Sequence, residues 1–383
     1  KTNALHTDQD GEHRTGVLGS DADGEQRSPG PVPVDHRLAA LPVLEREGLS
    51  RWDVDLGIGD GVLCLEFTGK MNALDAAVFD VVQKTVKKIE RSNGHYKALV
   101  IYNEGTHFSA GANLGMALIA INLGIWHLIE EMVHSGQRAY RALKFANFPV
   151  VSAPTGMALG GGCEVLLHSD HVQALAETYT GLVEAGVGLI PGWGGCKEMV
   201  LRFREHEEQE YNQRTGGEQM WMSPKNSPMT ASRKALELIG KADVAKSAYE
   251  AIDLGFFRKT DGVTMNRDRL LYEAKQKALE LSYNYTPPKP VEDIRLAGPT
   301  GAYGAELSIQ DMHKSGKITD YDVIVTKALA YVVTGGVKGD VTVTLTEDDL
   351  LGLEKDKFMT LVKRGGTMAR IEHMLTKGKP LRN

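Results

Sequence analysis

Two glutamates, each beside a run of glycines, are the residues in this chain best placed to do chemistry. The first closes Ala158-Leu159-Gly160-Gly161-Gly162-Cys163-Glu164. The second sits in Gly181-Leu182-Val183-Glu184-Ala185-Gly186, which runs on through Val187 to Ile190 and into Pro191-Gly192-Trp193-Gly194-Gly195. Glycines where a strand turns into a helix let the backbone approach a ligand closely with free N–H groups aimed at it. The dipole of the following helix adds partial positive charge, so such a turn suits an anion or a developing oxyanion. Glu164 falls three residues past the middle glycine, Gly161, and so would stand beside that hole. The same residues also fit a plain tight turn in which Glu164 is a first-turn acid favoured by the dipole. Glu184 lies among Val, Leu and Ile, where a carboxylate must be neutralised, paired or functional because an unpaired buried charge is expensive. Two such acids near one glycine turn form a candidate acid/base pair.

Short strands and helices must position these residues. Pro149–Thr155 reads as a buried strand, β-branched and bounded by prolines, and Cys163–His168 as the opening of a helix. Val172–Ala176 suits another strand. Lys97–Tyr102 is a strand that runs into Thr106-His107-Phe108-Ser109-Ala110-Gly111-Ala112-Asn113, a second small-residue loop able to present backbone donors. Gly61–Phe67 is a strand, followed by the loop Lys70–Leu74 and a helix to about Ser92 with Val78, Val82, Val86 and Ile89 on one face. Asn72 or Asp75 could cap that helix.

Phe-Ser-Ala-Gly-Ala-Asn (108–113), Ala-Leu-Gly-Gly-Gly-Cys-Glu (158–164) and Val-Glu with Ile-Pro-Gly-Trp-Gly-Gly (183–195) resemble the crotonase, or enoyl-CoA hydratase/isomerase, superfamily. The chain is most similar to the hydratase portion of bifunctional 3-hydroxyacyl-CoA dehydrogenase/enoyl-CoA hydratase proteins, over about residues 55–383. The resemblance implies an α/β fold, a crotonase-like spiral of ββα units with a helical C-terminal region. It implies a catalytic domain over 51–285 with a polar insertion at about 204–228 and a helical region over 286–383; outside it, residues 1–50 read from composition as a linker or disordered segment. It further implies that the N–H groups of Ala112 and Gly161 form an oxyanion hole for an acyl-CoA thioester. Glu164 would act mainly on a water and Glu184 on the C2 proton. Met71, Ala73, Ser109, Ala110, Asn113, Leu114, Gly160, Pro191 and Gly192 would line the substrate and coenzyme A site. The implied reaction is reversible hydration of trans-2-enoyl-CoA in fatty-acid β-oxidation, with no metal or redox cofactor. Asn113 stands where the family commonly has an acid, and Trp193 fills a turn position usually small, where it could shape the acyl pocket. The competing readings are another crotonase reaction, isomerase or acyl-CoA hydrolase, which normally lacks one of the two glutamates, and a silent acyl-CoA-binding or scaffold domain.

The rest of the chain narrows the class. A net charge of −6 gives no basic excess for nucleic acid, and no apolar run reaches the ~18 residues of a membrane span. Three cysteines (Cys64, Cys163, Cys196) are too few and odd in number for a disulfide framework, which points to a reducing, cytoplasmic setting. No Gly-x-Gly-x-x-Gly follows a strand, so NAD is not expected here and redox chemistry would need a dehydrogenase domain or subunit. The chain opens on Lys1 and is expected to be part of a longer or processed protein. Residues 1–34 hold few apolar residues and read as a tail, in which His6 and His13 are solvated rather than metal ligands. Residues 115–145 form a helical insert with an apolar stripe at Ile129, Met132, Val133, Tyr140 and Leu143; His127 and His134 lie in it as surface or packing residues. Arg204–Ser227 is polar and reads as a surface loop. Ser247 with Glu250 opens a short helix ended by Gly255, and Asn266 caps a helix to about Ser282. Thr286–Pro290 is a rigid linker. Thr319 opens a helix closed by Gly335-Gly336, and Thr346 with Asp349 opens another. C-terminal helices of this kind cover an active site or make a homo-oligomer interface.

Overall fold

The computed structural model describes residues 54–55, 61–216 and 229–383. The expectations for residues 1–50 and for 217–228 lie outside the described residues. The strands are short: β1 (Val54–Asp55), β2 (Val62–Leu65), β3 (Ala98–Tyr102), β4 (Val150–Ala153), β5 (Met157–Leu159), β6 (His171–Leu175), β7 (Tyr179–Gly181) and β8 (Gly262–Thr264), with β2, β3, β4 and β6 buried throughout. Six of them form one sheet in the order β1-β2-β3-β4-β6-β8, while β5 and β7 pair as a second sheet. Apart from the antiparallel β1–β2 pair, all these pairings are parallel. In the large sheet each crossover from β2 onward therefore leads to the next strand in the same direction. Right-handed crossovers taken repeatedly that way coil the chain as a spiral and leave no point where the winding reverses.

Alternation along the strands divides the interior. Leu63, Leu65, Leu99 and Ile101 face the main core, which includes Val78, Phe79, Val82, Val86 and Ile89 of α1 (Ala76–Glu90). Val62, Cys64, Ala98, Val100 and Tyr102 face the other way, onto Leu270, Ala274 and Ala278 of α8 (Arg267–Ser282). Asp75, not Asn72, caps α1, accepting from the N–H groups of Ala77 and Val78. The insert after the second loop is two helices, α2 (Leu114–Asn122) and α3 (Trp126–Lys144), broken at Gly124, whose φ is +66°. Ile129, Val133, Tyr140 and Leu143 are buried along α3, with Met132 partly so.

α4 (Gly161–Leu167) carries Glu164. α5 runs from Gly195 to Thr215, and this corrects the expected surface loop: residues 204–215 are helix. The segment lacks an apolar stripe, but it is built of good helix formers with no glycine or proline, and Gln209 reaches Glu205 one turn back. α6 (Met229–Lys241) and α7 (Ala248–Asp253) follow, the latter capped by the Ser247 hydroxyl on the Glu250 N–H.

The C-terminal region is helical, as expected: α9 (Gly298–Lys314), α10 (Asp320–Val333), α11 (Glu347–Val362) and α12 (Gly365–Lys377). Thr319/Asp322 and Thr346/Asp349 form complete capping boxes at α10 and α11, each hydroxyl and carboxylate satisfying a backbone donor of the other residue. These helices fold back onto the spiral. α10 packs on α6, α11 on α3 and α5, and α12 on α2 and on the turn that carries Glu184. No described helix is long and apolar enough to cross a membrane.

Candidate active site

The two loops found in the sequence are laced together by backbone. Ser109 N–H donates to Met157 O at 2.9 Å and Leu159 N–H to Ser109 O at 2.9 Å, which binds the 108–113 loop to β5. Leu74 N–H donates to Gly111 O at 2.8 Å and Asn113 N–H to Leu74 O at 3.0 Å, which adds the 70–74 loop on the other side. Gly111, with φ +88°, lies so close that a side-chain carbon there would stand 2.8 Å from Leu159 O and 3.4 Å from the Gly161 nitrogen. The chains bearing Ala112 and Gly161 are thus neighbours. Among the described residues no acceptor takes up the N–H of Ala112 or of Gly161. Gly161 is the first residue of α4, and the Tyr140 hydroxyl donates to its carbonyl at 2.9 Å, fixing the peptide's orientation. Two uncommitted donors beside a helix start can receive an oxyanion.

Met71, Ala73, Ala110, Ala112, Asn113 and Leu114 are at least partly exposed, whereas Gly160, Gly161, Pro191 and Gly192 are buried. The first group is therefore the accessible rim and the second its floor. Met71 and Asn72 both take positive φ, 57° and 48°, strain that the surrounding bonds hold in place. Ser109 is fully buried; its hydroxyl donates to Asn72 O at 2.7 Å and accepts from Gly111 N–H at 3.1 Å, so its side chain ties loops together. The Asn113 side chain caps α2 by accepting from Met116 N–H. Trp193 lies beneath the hole, edge-on to Phe79 and Tyr140 with ring centroids 4.8 and 6.0 Å away, and pressed against Gly161.

Glu164 is 1% exposed, and its Oε1 accepts from the N–H groups of Trp193 at 2.9 Å and Gly195 at 2.8 Å. Burial pushes its carboxyl up to about 7, against the pull of those two donors and of the Lys197 ammonium. Glu184 opens a single turn of 3-10 helix (Glu184–Val187). It is partly exposed as a residue, yet its Oε2 is out of reach of solvent with no hydrogen-bond partner among the described residues. Its Oε1 lies 3.0 Å from where a side chain on Gly160 would begin, a position open because Gly160 has none. Burial, then the charge of Glu164, hold the Glu184 carboxyl well above the usual range. The glycine turn thus has one acid three residues along its helix and the other against its first residue.

The sequence did not point to the supports of this site. Glu354 of α11 accepts from Gly194 N–H at 2.8 Å and Lys197 N–H at 2.7 Å. Arg370 and Thr367 of α12 donate to Ala185 O at 3.1 Å and Gly188 O at 2.7 Å, gripping the turn after Glu184. Lys144, Lys197, Glu198 and Glu347 form a buried ionic cluster next to α4. No local signal marks these partners, because each contact joins segments far apart in the chain. A cavity of about 800 Å³ lies beyond the 184–187 turn, walled in part by Ala185, Leu236, Ile309 and Arg370; no glycine-turn residue lines it. Among the described residues no group of acids, histidines and cysteines could hold a metal ion.

The chain is similar to known proteins. Residues 57–211 match the family described as Enoyl-CoA hydratase/isomerase. A Bacillus subtilis protein named "Probable 3-hydroxyacyl-CoA dehydrogenase" is 38% identical over 330 residues, 86% of this chain and 39% of that protein. A Vibrio cholerae protein named "Fatty acid oxidation complex subunit alpha" is 32% identical over 133 residues, 34% of this chain and 18% of its own length. The chain thus spans about two fifths of the Bacillus subtilis relative. The fold is also that of enoyl-CoA hydratase from Bacillus halodurans, with a TM-score of 0.53 at 16% identity, covering 82% of this chain and 97% of that one. Residues 57–211 thus form an enoyl-CoA hydratase/isomerase domain.

Proposed function

We propose that the chain catalyses the reversible hydration of trans-2-enoyl-CoA to 3-hydroxyacyl-CoA. The observation that carries this reading is the pair of enclosed glutamates on the Gly160–Gly162 turn, next to two uncommitted backbone donors. In this mechanism the thioester oxygen sits on the N–H groups of Ala112 and Gly161. Charge gathers on that oxygen as water adds, and each preorganised donor is worth about 3–4 kcal/mol of barrier. Glu164, poised near 7, takes the proton of a water as its oxygen bonds to C3. The C2–C3 π electrons move toward the thioester as an enolate, and Glu184, held protonated by burial, delivers its proton to C2. The two acids then exchange the proton through solvent to reset. Unequal environments thus support the division of labour: the acid pushed higher donates, the lower one accepts.

Coenzyme A would lie along the exposed rim formed by the loops at 70–74 and 110–114. The names of the longer relatives support a place in fatty-acid oxidation beside a 3-hydroxyacyl-CoA dehydrogenase domain or subunit. In this reading the chain takes no metal or redox cofactor and works in the cytoplasm, which its three free buried thiols support. The test is a hydration assay with crotonyl-CoA, followed as loss of the enone absorbance. Turnover is expected. Tight acyl-CoA binding without turnover would replace the hydratase with a binding domain.

A further inference from the structure

We propose that Glu354, in the C-terminal helical region, is a positioning residue of this site: it fixes the turn that holds Glu164. The inference rests on the hydration reading above.

The carboxylate of Glu354 is completely buried on α11. Its Oε2 accepts from Gly194 N–H and its Oε1 from Lys197 N–H. Glu164 Oε1 takes the N–H groups of Trp193 and Gly195 in the same turn. The donors at the start of α5 thus alternate between two carboxylates: 193 and 195 to Glu164, 194 and 197 to Glu354. Because successive peptide planes share their α-carbons, releasing Gly194 from Glu354 would swing the Trp193 and Gly195 donors off Glu164. Gly194, at φ +110°, is in a region that L side chains rarely adopt, and the bond to Glu354 helps hold it there.

Other contacts from α11 converge on the turn. A side-chain carbon on Gly192 would lie 3.0 Å from the Phe358 ring, and Gln137 donates to both Gly192 O at 2.9 Å and Leu351 O at 3.0 Å. Packing alone would be served by an apolar side chain, since burying an acid costs free energy unless it is used.

The groups facing Glu354 are acidic or already engaged. Glu164 on α4, Glu184 on its turn and the Cys196 thiol on α5 all feel its charge or impose theirs on it. The Lys197 ammonium is its cationic neighbour, but that group contacts Glu198 and Glu347 directly. Burial, then the charge of Glu164, hold the Glu354 carboxyl well above its usual range.

Glu354→Gln keeps the length but turns an NH₂ toward one of the two donors. The expected result is a kcat at least ~10-fold lower with KM within ~3-fold, because coenzyme A contacts are untouched. With the Trp193 and Gly195 donors swung off it, Glu164 loses bonds that pull its carboxyl down, so the acid limb of kcat/KM moves to higher pH by roughly half a unit or more. A ¹³C-carboxyl NMR titration, assigned with Glu164→Gln, reads the same upward shift of Glu164 without turnover. Unchanged kcat and an unchanged Glu164 midpoint in the folded variant would overturn the proposal. If Glu354→Gln does not fold, Glu354→Asp keeps the charge and shortens the reach. It should lower kcat and move the acid limb the same way, and wild-type kcat there overturns the positioning role. If the wild-type chain hydrates nothing, the hydratase reading fails and the Glu164 titration alone decides the positioning role.

Discussion

Glu164 and Glu198 are both buried glutamates at the start of α5, one reaching into it and one within it, yet their carboxyls are displaced in opposite directions. Burial opposes the charge on both. Around Glu198 that penalty is outweighed: Lys197 and Lys144 contact it, and the same two ammonium groups reach Glu347 at 2.7 and 2.9 Å. Two cations and two anions balance, so Glu198 is held well below the usual carboxylate range and Glu347 below it. His168, 3.4 Å from Glu198, is pushed down to about 3 by burial and by Lys197, and stays neutral. Glu164, Glu184 and Glu354 have mainly backbone donors or each other, and all three are displaced upward. Cation count within contact distance thus separates a structural cluster from one whose protons can move near neutral pH.

Removing the proton-exchanging group from the acidic side should have the largest effect. Glu164→Gln and Glu184→Gln each preserve shape, and each is expected to lower hydration by ~10²- to 10⁴-fold with acyl-CoA binding within a few-fold. The double variant should lose little beyond the worse single one, since a pair that acts as a unit is not additive. Near-full activity in Glu184→Gln would remove the distinction between the two clusters as a functional one.

Unbalancing the ionic side should cost stability instead. Lys197→Met leaves Glu198 and Glu347 sharing Lys144 in a buried site, for a loss of roughly 3–5 kcal/mol in chemical denaturation. A loss under about 1 kcal/mol would mean the cluster is not holding α5 and α11 together.

A smaller effect should appear in the pH dependence of the melting temperature, with opposite signs for the two clusters. The three raised carboxyls favour the fold when protonated. Their contribution is complete below the ordinary glutamate value of 4.5 and is lost as pH rises through the Glu164 value of about 7. The depressed Glu198 and Glu347 contribute above 4.5, and that contribution is lost as pH falls toward their lower folded values. Melting temperature should therefore fall as pH rises from 4.5 through 7, and fall less in Glu184→Gln. A wild-type melting temperature that climbs through pH 7 would contradict the assignment of raised carboxyls.

The smallest expected effect tests a residue outside both clusters. Asn113 caps α2 with its side chain, so Asn113→Ala should cost about 1 kcal/mol of stability and leave KM for an acyl-CoA within a few-fold. A tenfold rise in KM with unchanged stability would make Asn113 a substrate ligand rather than a cap.

Local chemistry was legible in the residues. The glycine turns with their acids, the capping hydroxyls at Thr319 and Thr346, and the strand alternation depend on neighbours a few positions away, which the sequence displays directly. The polar stretch after Arg202 reads as a loop because its helix has no apolar stripe to betray it; only its composition of helix formers carries the signal. Tertiary structure alone decided which acids would be balanced. Glu354 meets Gly194 across 160 positions and Lys197 meets Glu347 across 150. Nothing in the local pattern around Glu354 separates it from a solvent-facing helical acid. Sequence determined that two acids stand near glycine turns; the fold determined, by which cations it brought within reach, that those acids keep protons to exchange while their neighbours do not.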